Sequence, residues 1–296
     1  GLCVAPNGAL IVTDSTNDAV REITPSGYVR TIPLKGVVVD APIDVTIDVL
    51  NSVGSTQILY VTALNSDRVF RIVRNSNTNN TSSVVPVVGG GADPDSTTTA
   101  DTLALTSPTG IACDLTGGFW MTDYGTNDRV YYIRPLPGVS VTSATATDYD
   151  VVHNLSTLSS PWDCTVDDHG NAFIVEGATT DELTRRDADG TLTTIAVPDL
   201  GYGACVVNGP GTICYLKSAD TDKVYQLRQI GANPKLAASW FLTTITDGGL
   251  GYQDGSGQTA KFSFSDSGMA LDPSGSLYVT DRHNDRIRRI DRLAGE

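Results

Sequence analysis

Few side chains in this 296-residue sequence have the type and spacing that chemistry asks for. Its histidines are His153, His169 and His283, and none sits in an H-E-x-x-H or similar ligand pair. No G-x-S-x-G elbow occurs either. The Gly89-Gly90-Gly91 run lacks a following Lys and opens no helical pattern, so it reads as a turn rather than a phosphate cradle. Five cysteines, Cys3, Cys113, Cys164, Cys205 and Cys214, include no C-x-x-C pair. Their odd number leaves at least one without an internal partner. Cys205 and Cys214 flank Asn208-Gly209-Pro210-Gly211 at matching distances and are expected to face each other across a hairpin. That spacing is open to two readings, a disulfide or small buried apolar side chains.

Carboxylates offer more. Asp14, Asp123 and Asp281 each close a short apolar run. Together with carbonyls they are candidate ligands for calcium; more simply, they cap their own turns. Glu176 and Lys217 occupy the same place in two further runs, so an ion pair between them is expected. Tyr124, Asn127, His283 and Asn284 lie in the polar turns after these runs. They are the candidate binding residues, because recognition groups are commonly carried on loops held by a rigid scaffold.

All these residues belong to one recurring unit. The runs are ALIVTD (Ala9–Asp14), ILYVTA (Ile58–Ala63), FWMTD (Phe119–Asp123), NAFIVE (Asn171–Glu176), TICYLK (Thr212–Lys217) and SLYVTD (Ser276–Asp281). Each follows a shorter apolar stretch and a turn that in most copies contains Gly, and each precedes a polar turn and a third stretch. A fourth stretch follows in five copies, for example SSVVPVVG (Ser82–Gly89) and SWFLTTIT (Ser239–Thr246). Period-two alternation and Asn/Asp/Gly turns predict strands throughout. Successive copies end 49, 60, 53, 41 and 64 residues apart. A four-stranded unit at roughly 40–60-residue spacing predicts an all-β, six-bladed β-propeller of antiparallel blades. The predicted blades are 1–41, 42–107, 108–160, 161–202, 203–266 and 267–296, within a single domain. Asp291–Glu296 is short for a strand, so the last blade is expected to lack its outer strand, and the segment reads as part of a longer chain with flanking domains.

Gly268–Asp281 (GMALDPSGSLYVTD) followed by Asn284-Asp285-Arg286-Ile287 closely resembles the NHL repeat. Pro108–Asp123 with Asn127-Asp128-Arg129-Val130 is similar, and Gly251-Tyr252-Gln253-Asp254-Gly255 looks like the linker that enters a blade in that family. The resemblance is strong in copies 1, 3 and 6. Copies 2, 4 and 5 depart from it, with Ala63, Glu176 and Lys217 in place of the Asp. NHL-like amidating lyases use several inward histidines around a metal, a set this sequence lacks. Related six-bladed propellers do include enzymes with one acidic residue near the channel, which is what the resemblance implies for Glu176.

Net charge is −14, which opposes nucleic acid and anionic lipid surfaces. No apolar run is long enough to insert in a membrane. Asn79, Asn80 and Asn154 begin N-x-S/T triplets, the N-glycosylation pattern. With few lysines, they point to an extracellular or cell-surface setting. The leading expectation is a non-catalytic propeller that binds a protein or glycan partner. The alternative is a hydrolase or lyase working at the channel mouth, with or without a divalent cation.

Overall fold

The computed structural model describes residues 1–95, 98–126, 128–177, 180–247, 249–265 and 268–291. The chain divides into two compact units, Gly1–Leu158 and Ser159–Glu296. Each consists of three antiparallel meanders.

In the first unit, sheet one is β1 (Leu2–Val4), β2 (Leu10–Asp14), β3 (Ala19–Ile23) and β4 (Val29–Thr31). Sheet two is β5 (Pro42–Ile47), β6 (Thr56–Ala63), β7 (Arg68–Asn75) and β8 (Asn80–Val88). Sheet three is β9 (Pro108–Cys113), β10 (Phe119–Asp123), β11 (Arg129–Pro135) and β12 (Tyr149–Leu155). The second unit holds sheet four, β13 (Pro161–Val166), β14 (Ala172–Glu176), β15 (Glu182–Arg186) and β16 (Leu192–Ala196). Sheet five is β17 (Ala204–Val207), β18 (Ile213–Lys217), β19 (Val224–Gln229) and β20 (Trp240–Thr246). Sheet six has three strands among the described residues, β21 (Met269–Leu271), β22 (Leu277–Asp281) and β23 (Arg286–Ile290). These are the blades of an all-β, six-bladed β-propeller fold whose last blade is three-stranded.

Burial on both faces explains why the second strands β6, β10 and β14 are almost continuously apolar. Along β6, Leu59 and Val61 join Ile11 and Val20 in the core between sheets one and two. Ile58 and Tyr60 point the other way and join Ile111, Phe119 and Met121 between sheets two and three. Phe173 and Val175 meet Cys205 and Leu216 between sheets four and five. Phe262 and Val279 pack with Ala204 and Val224 between sheets five and six. Each such aliphatic or aromatic side chain contributes about 1.5–3 kcal/mol of burial.

Aspartate makes the turns. Between first and second strands, Asp114 accepts the N–H of Thr116 and Gly118, Asp167 those of His169 and Asn171, and Asp272 those of Ser274 and Ser276. Between second and third strands, Asp18, Asp67, Asp128, Asp181, Asp222 and Asp285 all have positive φ, from 45° to 57°. Asp tolerates this left-handed geometry better than most side chains. Much of the acidity of the sequence therefore serves backbone N–H groups.

Candidate recognition site

The second-to-third-strand turns and the loops that lead into the next sheet emerge at the same end of each meander. This end carries most of the candidate residues. Three of the left-handed aspartates lock it. Asp18 Oδ1 accepts the N–H of Ala41 at 2.9 Å, Asp181 Oδ1 that of Gly201 at 2.9 Å, and Asp222 Oδ1 that of Phe264 at 2.5 Å. Each bond ties a turn to the incoming loop of the following sheet. The sequence signal is an Asp in the same place in every copy, overshadowed there by the Asn that precedes it in several.

The acid that ends the second strand does related work. Asp123 Oδ1 accepts the N–H of Thr106 at 3.0 Å and of Ser107 at 2.8 Å. Asp281 accepts Ser263 N–H at 2.7 Å, Asn284 Nδ2 at 2.9 Å and Arg288 Nη1 at 3.1 Å. Glu176 accepts Ser159 N–H at 2.8 Å and the Thr184 hydroxyl. Asp14 takes Asn17 Nδ2 at 2.8 Å and Arg21 at 2.9 Å. The calcium candidates Asp14, Asp123 and Asp281 are thus each engaged by donors near their own sheet. Among the described residues no group of three or more His, Cys, Asp or Glu is arranged to hold a metal.

The expected Glu176–Lys217 ion pair does not form. Lys217 Nζ donates to the Ser265 carbonyl at 3.1 Å and lies 4.9 Å from the centre of the Phe264 ring. The two side chains serve backbone groups of opposite polarity: the carboxylate takes an N–H, the ammonium a C=O. Burial raises the Glu176 carboxyl above its ordinary value, although hydrogen bonds from Thr184 and Ser159 pull the other way.

Of the candidate binding residues, Asn127 lies outside the described residues. Tyr124 is half-buried, and its N–H bonds the Ser107 carbonyl at 2.9 Å. Asn284 is a brace rather than a free recognition group, because its Nδ2 donates to both Gly251 O (2.8 Å) and Asp281. His283 is exposed, with Nδ1 3.3 Å from Ser263 Oγ. Beside it the incoming loop presents Tyr252, 49% exposed, with the Arg286 guanidinium 4.3 Å from its ring centre. In the first unit the long loop after β8 is strapped down: Arg129 pairs with Asp95 at 3.0 Å, and Tyr131 and Asn154 both donate to the Pro94 carbonyl.

A second constellation carries no motif that would single it out in the sequence. Asp44 bonds its neighbour Val45 N–H at 2.8 Å and, across to the next sheet, Ile111 N–H at 3.0 Å. Thr46 repeats the reach to Cys113 N–H at 3.1 Å. Sheet four does the same to sheet five through Asp163 and Thr165, toward Cys205 and Val207. Residues Thr13 and Thr62 act in the other direction, donating to the carbonyls of Ile43 and Thr109. First strands have one edge without a ladder partner, and these side chains satisfy it.

Cys205 and Cys214 do not face each other. The register sets Cys205 opposite Leu216 and Cys214 opposite Val207, so the two are diagonal neighbours, and no disulfide joins any of the five cysteines. Burial raises the Cys205 thiol well above its ordinary value. Among the glycosylation triplets, Asn79 is left-handed (φ 54°) and donates to Thr31 O at 2.8 Å, and Asn154 is tied to Pro94. Asn80 is exposed.

No family profile and no curated protein matches the sequence. Solved structures do. A virginiamycin B lyase from Staphylococcus aureus is similar over 99% of this chain and 84% of its own, at 14% identity and a TM-score of 0.58. An auxiliary nutrient binding protein from Bacteroides thetaiotaomicron is similar over 98% of this chain and 68% of its own, at 16% identity and a TM-score of 0.61. A nidogen/laminin complex gives 77% and 74%, 16% identity and a TM-score of 0.55. At such identities the likeness concerns the fold alone.

Proposed function

We propose that this propeller is a recognition module that holds a protein or glycan partner on the loops at the turn end of its sheets, in an extracellular or cell-surface setting. One observation carries the reading: the side chains with catalytic potential are committed to architecture. Asp123, Glu176, Asp281, Lys217 and Asn284 each hold backbone groups of an incoming loop. What remains outward is an aromatic and cationic surface around Tyr252 and His283. Two of the similar structures are, by name, a nutrient binding protein and a nidogen/laminin complex, which is precedent for binding on this fold. The lyase among them keeps a second reading in view, with buried Glu176 as its base. That reading needs a Glu176 free of its present donors.

The experiment is a binding screen of the purified chain against a glycan array and a panel of extracellular proteins, repeated with a Tyr252→Ala/His283→Ala variant. The expected result is a partner whose binding falls at least tenfold in the variant while the melting temperature is unchanged. Turnover of a small molecule that disappears in Glu176→Gln would overturn the proposal.

A further inference from the structure

Among the described residues three buried guanidinium groups, those of Arg71, Arg74 and Arg185, have a nitrogen without a hydrogen-bond partner, and two of them, Arg74 and Arg185, are paired with a carboxylate. In the first unit the Arg74 side chain is 0% exposed. Its Nη2 donates to Glu22 Oε2 at 2.6 Å, and Arg30 Nε donates to the same oxygen at 2.6 Å. Arg74 Nε and Nη1 and Glu22 Oε1 are buried and have no partner. Directly across the strands from Arg74 lie Gln57 and Thr81. Gln57 Oε1 and Thr81 Oγ1 are also buried and unpartnered.

The second unit repeats the arrangement. Arg185 stands opposite Thr193 on the neighbouring strand, and its Nη1 is 2.5 Å from Asp187 Oδ1. Arg185 Nε, Asp187 Oδ2 and Thr193 Oγ1 are buried and unpartnered. Both places therefore hold the same orphaned set, namely a guanidinium N–H, the second oxygen of its carboxylate, and the hydroxyl of the facing threonine.

An orphaned buried polar group is destabilising, and three or more together in one place are strongly so unless something satisfies them. An anion would meet the orphaned carboxylate oxygen, and a cation would meet the guanidinium. A small neutral molecule that both accepts and donates suits both sets. We propose that ordered water occupies each place. One water accepts from the Arg N–H, donates to the carboxylate oxygen and shares its remaining bond with the threonine hydroxyl. That gives the three bonds that buried waters typically make. The first site, with Gln57 Oε1 added, takes a second water. These waters extend the two ion pairs across the strands.

The test compares Thr81→Val and Thr193→Val with Thr81→Ser and Thr193→Ser in urea unfolding, alongside a crystal structure in which solvent is ordered. A hydroxyl that binds water is missed when it becomes a methyl, so each valine variant is expected to lower the folded-to-unfolded ratio roughly 5–10-fold. The serine variants should keep the solvent peak. That peak should lie within hydrogen-bond distance of Glu22 Oε1 and an Arg74 nitrogen in the first site, and of Asp187 Oδ2 and Arg185 Nε in the second. Valine variants as stable as the parent, or carboxylates turned to grip the arginines through both oxygens with no solvent peak, overturn the proposal. Should a valine variant fail to fold, the solvent peak alone decides.

Discussion

Asp163 Oδ2 accepts the backbone N–H of Cys205 at 2.9 Å, joining the first strand of one sheet to the first strand of the next. The other oxygen takes the N–H of Cys164 at 2.9 Å, so one carboxylate closes two backbone groups on two sheets. Asp44 makes the same pair of bonds in the first unit. Asp163→Ala orphans two N–H groups. We expect a loss of about 1–3 kcal/mol for each, read as a lower urea midpoint with an unchanged slope. An alanine variant within 0.5 kcal/mol of the parent, roughly the scatter of surface substitutions, would show that water replaces the carboxylate.

Glu176 sets one pH dependence. Its carboxyl is raised in the folded state, chiefly by burial. A folded state that holds a proton more tightly than the unfolded chain is favoured at low pH. The contribution is therefore fully present below the unfolded value of the carboxyl and is lost as pH rises through the folded one. Melting temperature recorded from pH 4 to pH 8 should fall more steeply in the parent than in Glu176→Gln. Parallel curves would remove Glu176 as the source.

Glu22 has the opposite sign. Burial raises it, but hydrogen bonds from Arg30 and Arg74 outweigh that, and the net shift is downward. Its contribution is present above the unfolded carboxyl value and is lost as pH falls through the folded one. Glu22→Gln should flatten the acid limb of the same melting profile. Arg74→Met removes one of the two guanidinium donors of a buried carboxylate and leaves Arg30 in place, so it is expected to cost about 1.5–3 kcal/mol, the worth of one hydrogen bond to a charged group.

The left-handed turn at Asp222 should discriminate between substitutions that a helix or strand would treat alike. Asp222→Asn keeps an acceptor for Phe264 N–H and a side chain that tolerates positive φ. Asp222→Val keeps neither and is expected to cost about 1–3 kcal/mol in strain alone. Equal melting temperatures for the two variants would mean that the turn refolds into another geometry.

The thiols give a count. With no bridge, five groups react with a thiol reagent in guanidinium, whereas a Cys205–Cys214 disulfide would leave three. Under native conditions Cys164, Cys205 and Cys214 should resist modification, because all three are buried.

Strand positions were readable from local pattern. The second strands end at Asp14, Ala63, Asp123, Glu176, Lys217 and Asp281, where the apolar runs end. Among the described residues the last sheet has three strands, in line with the expectation of an incomplete outer strand. The roles of the site residues were less legible. Asn284 looked like a recognition residue because nothing nearby in sequence shows that Gly251 O, 33 positions away, will take its amide. Lys217 looked like a partner for Glu176 because both occupy one repeat position, but each found a backbone group first. The diagonal placement of Cys205 and Cys214 was hidden by how the short strands β17 and β18 align across the turn between them.

By itself, the sequence determined six sheets, their strand order and their turns, because alternation and turn chemistry act over a few residues. Tertiary structure decided what each carboxylate, amide and ammonium is for. Their partners arrive on incoming loops of unequal length, and where such a loop lies against the preceding turn is settled only when the sheets pack.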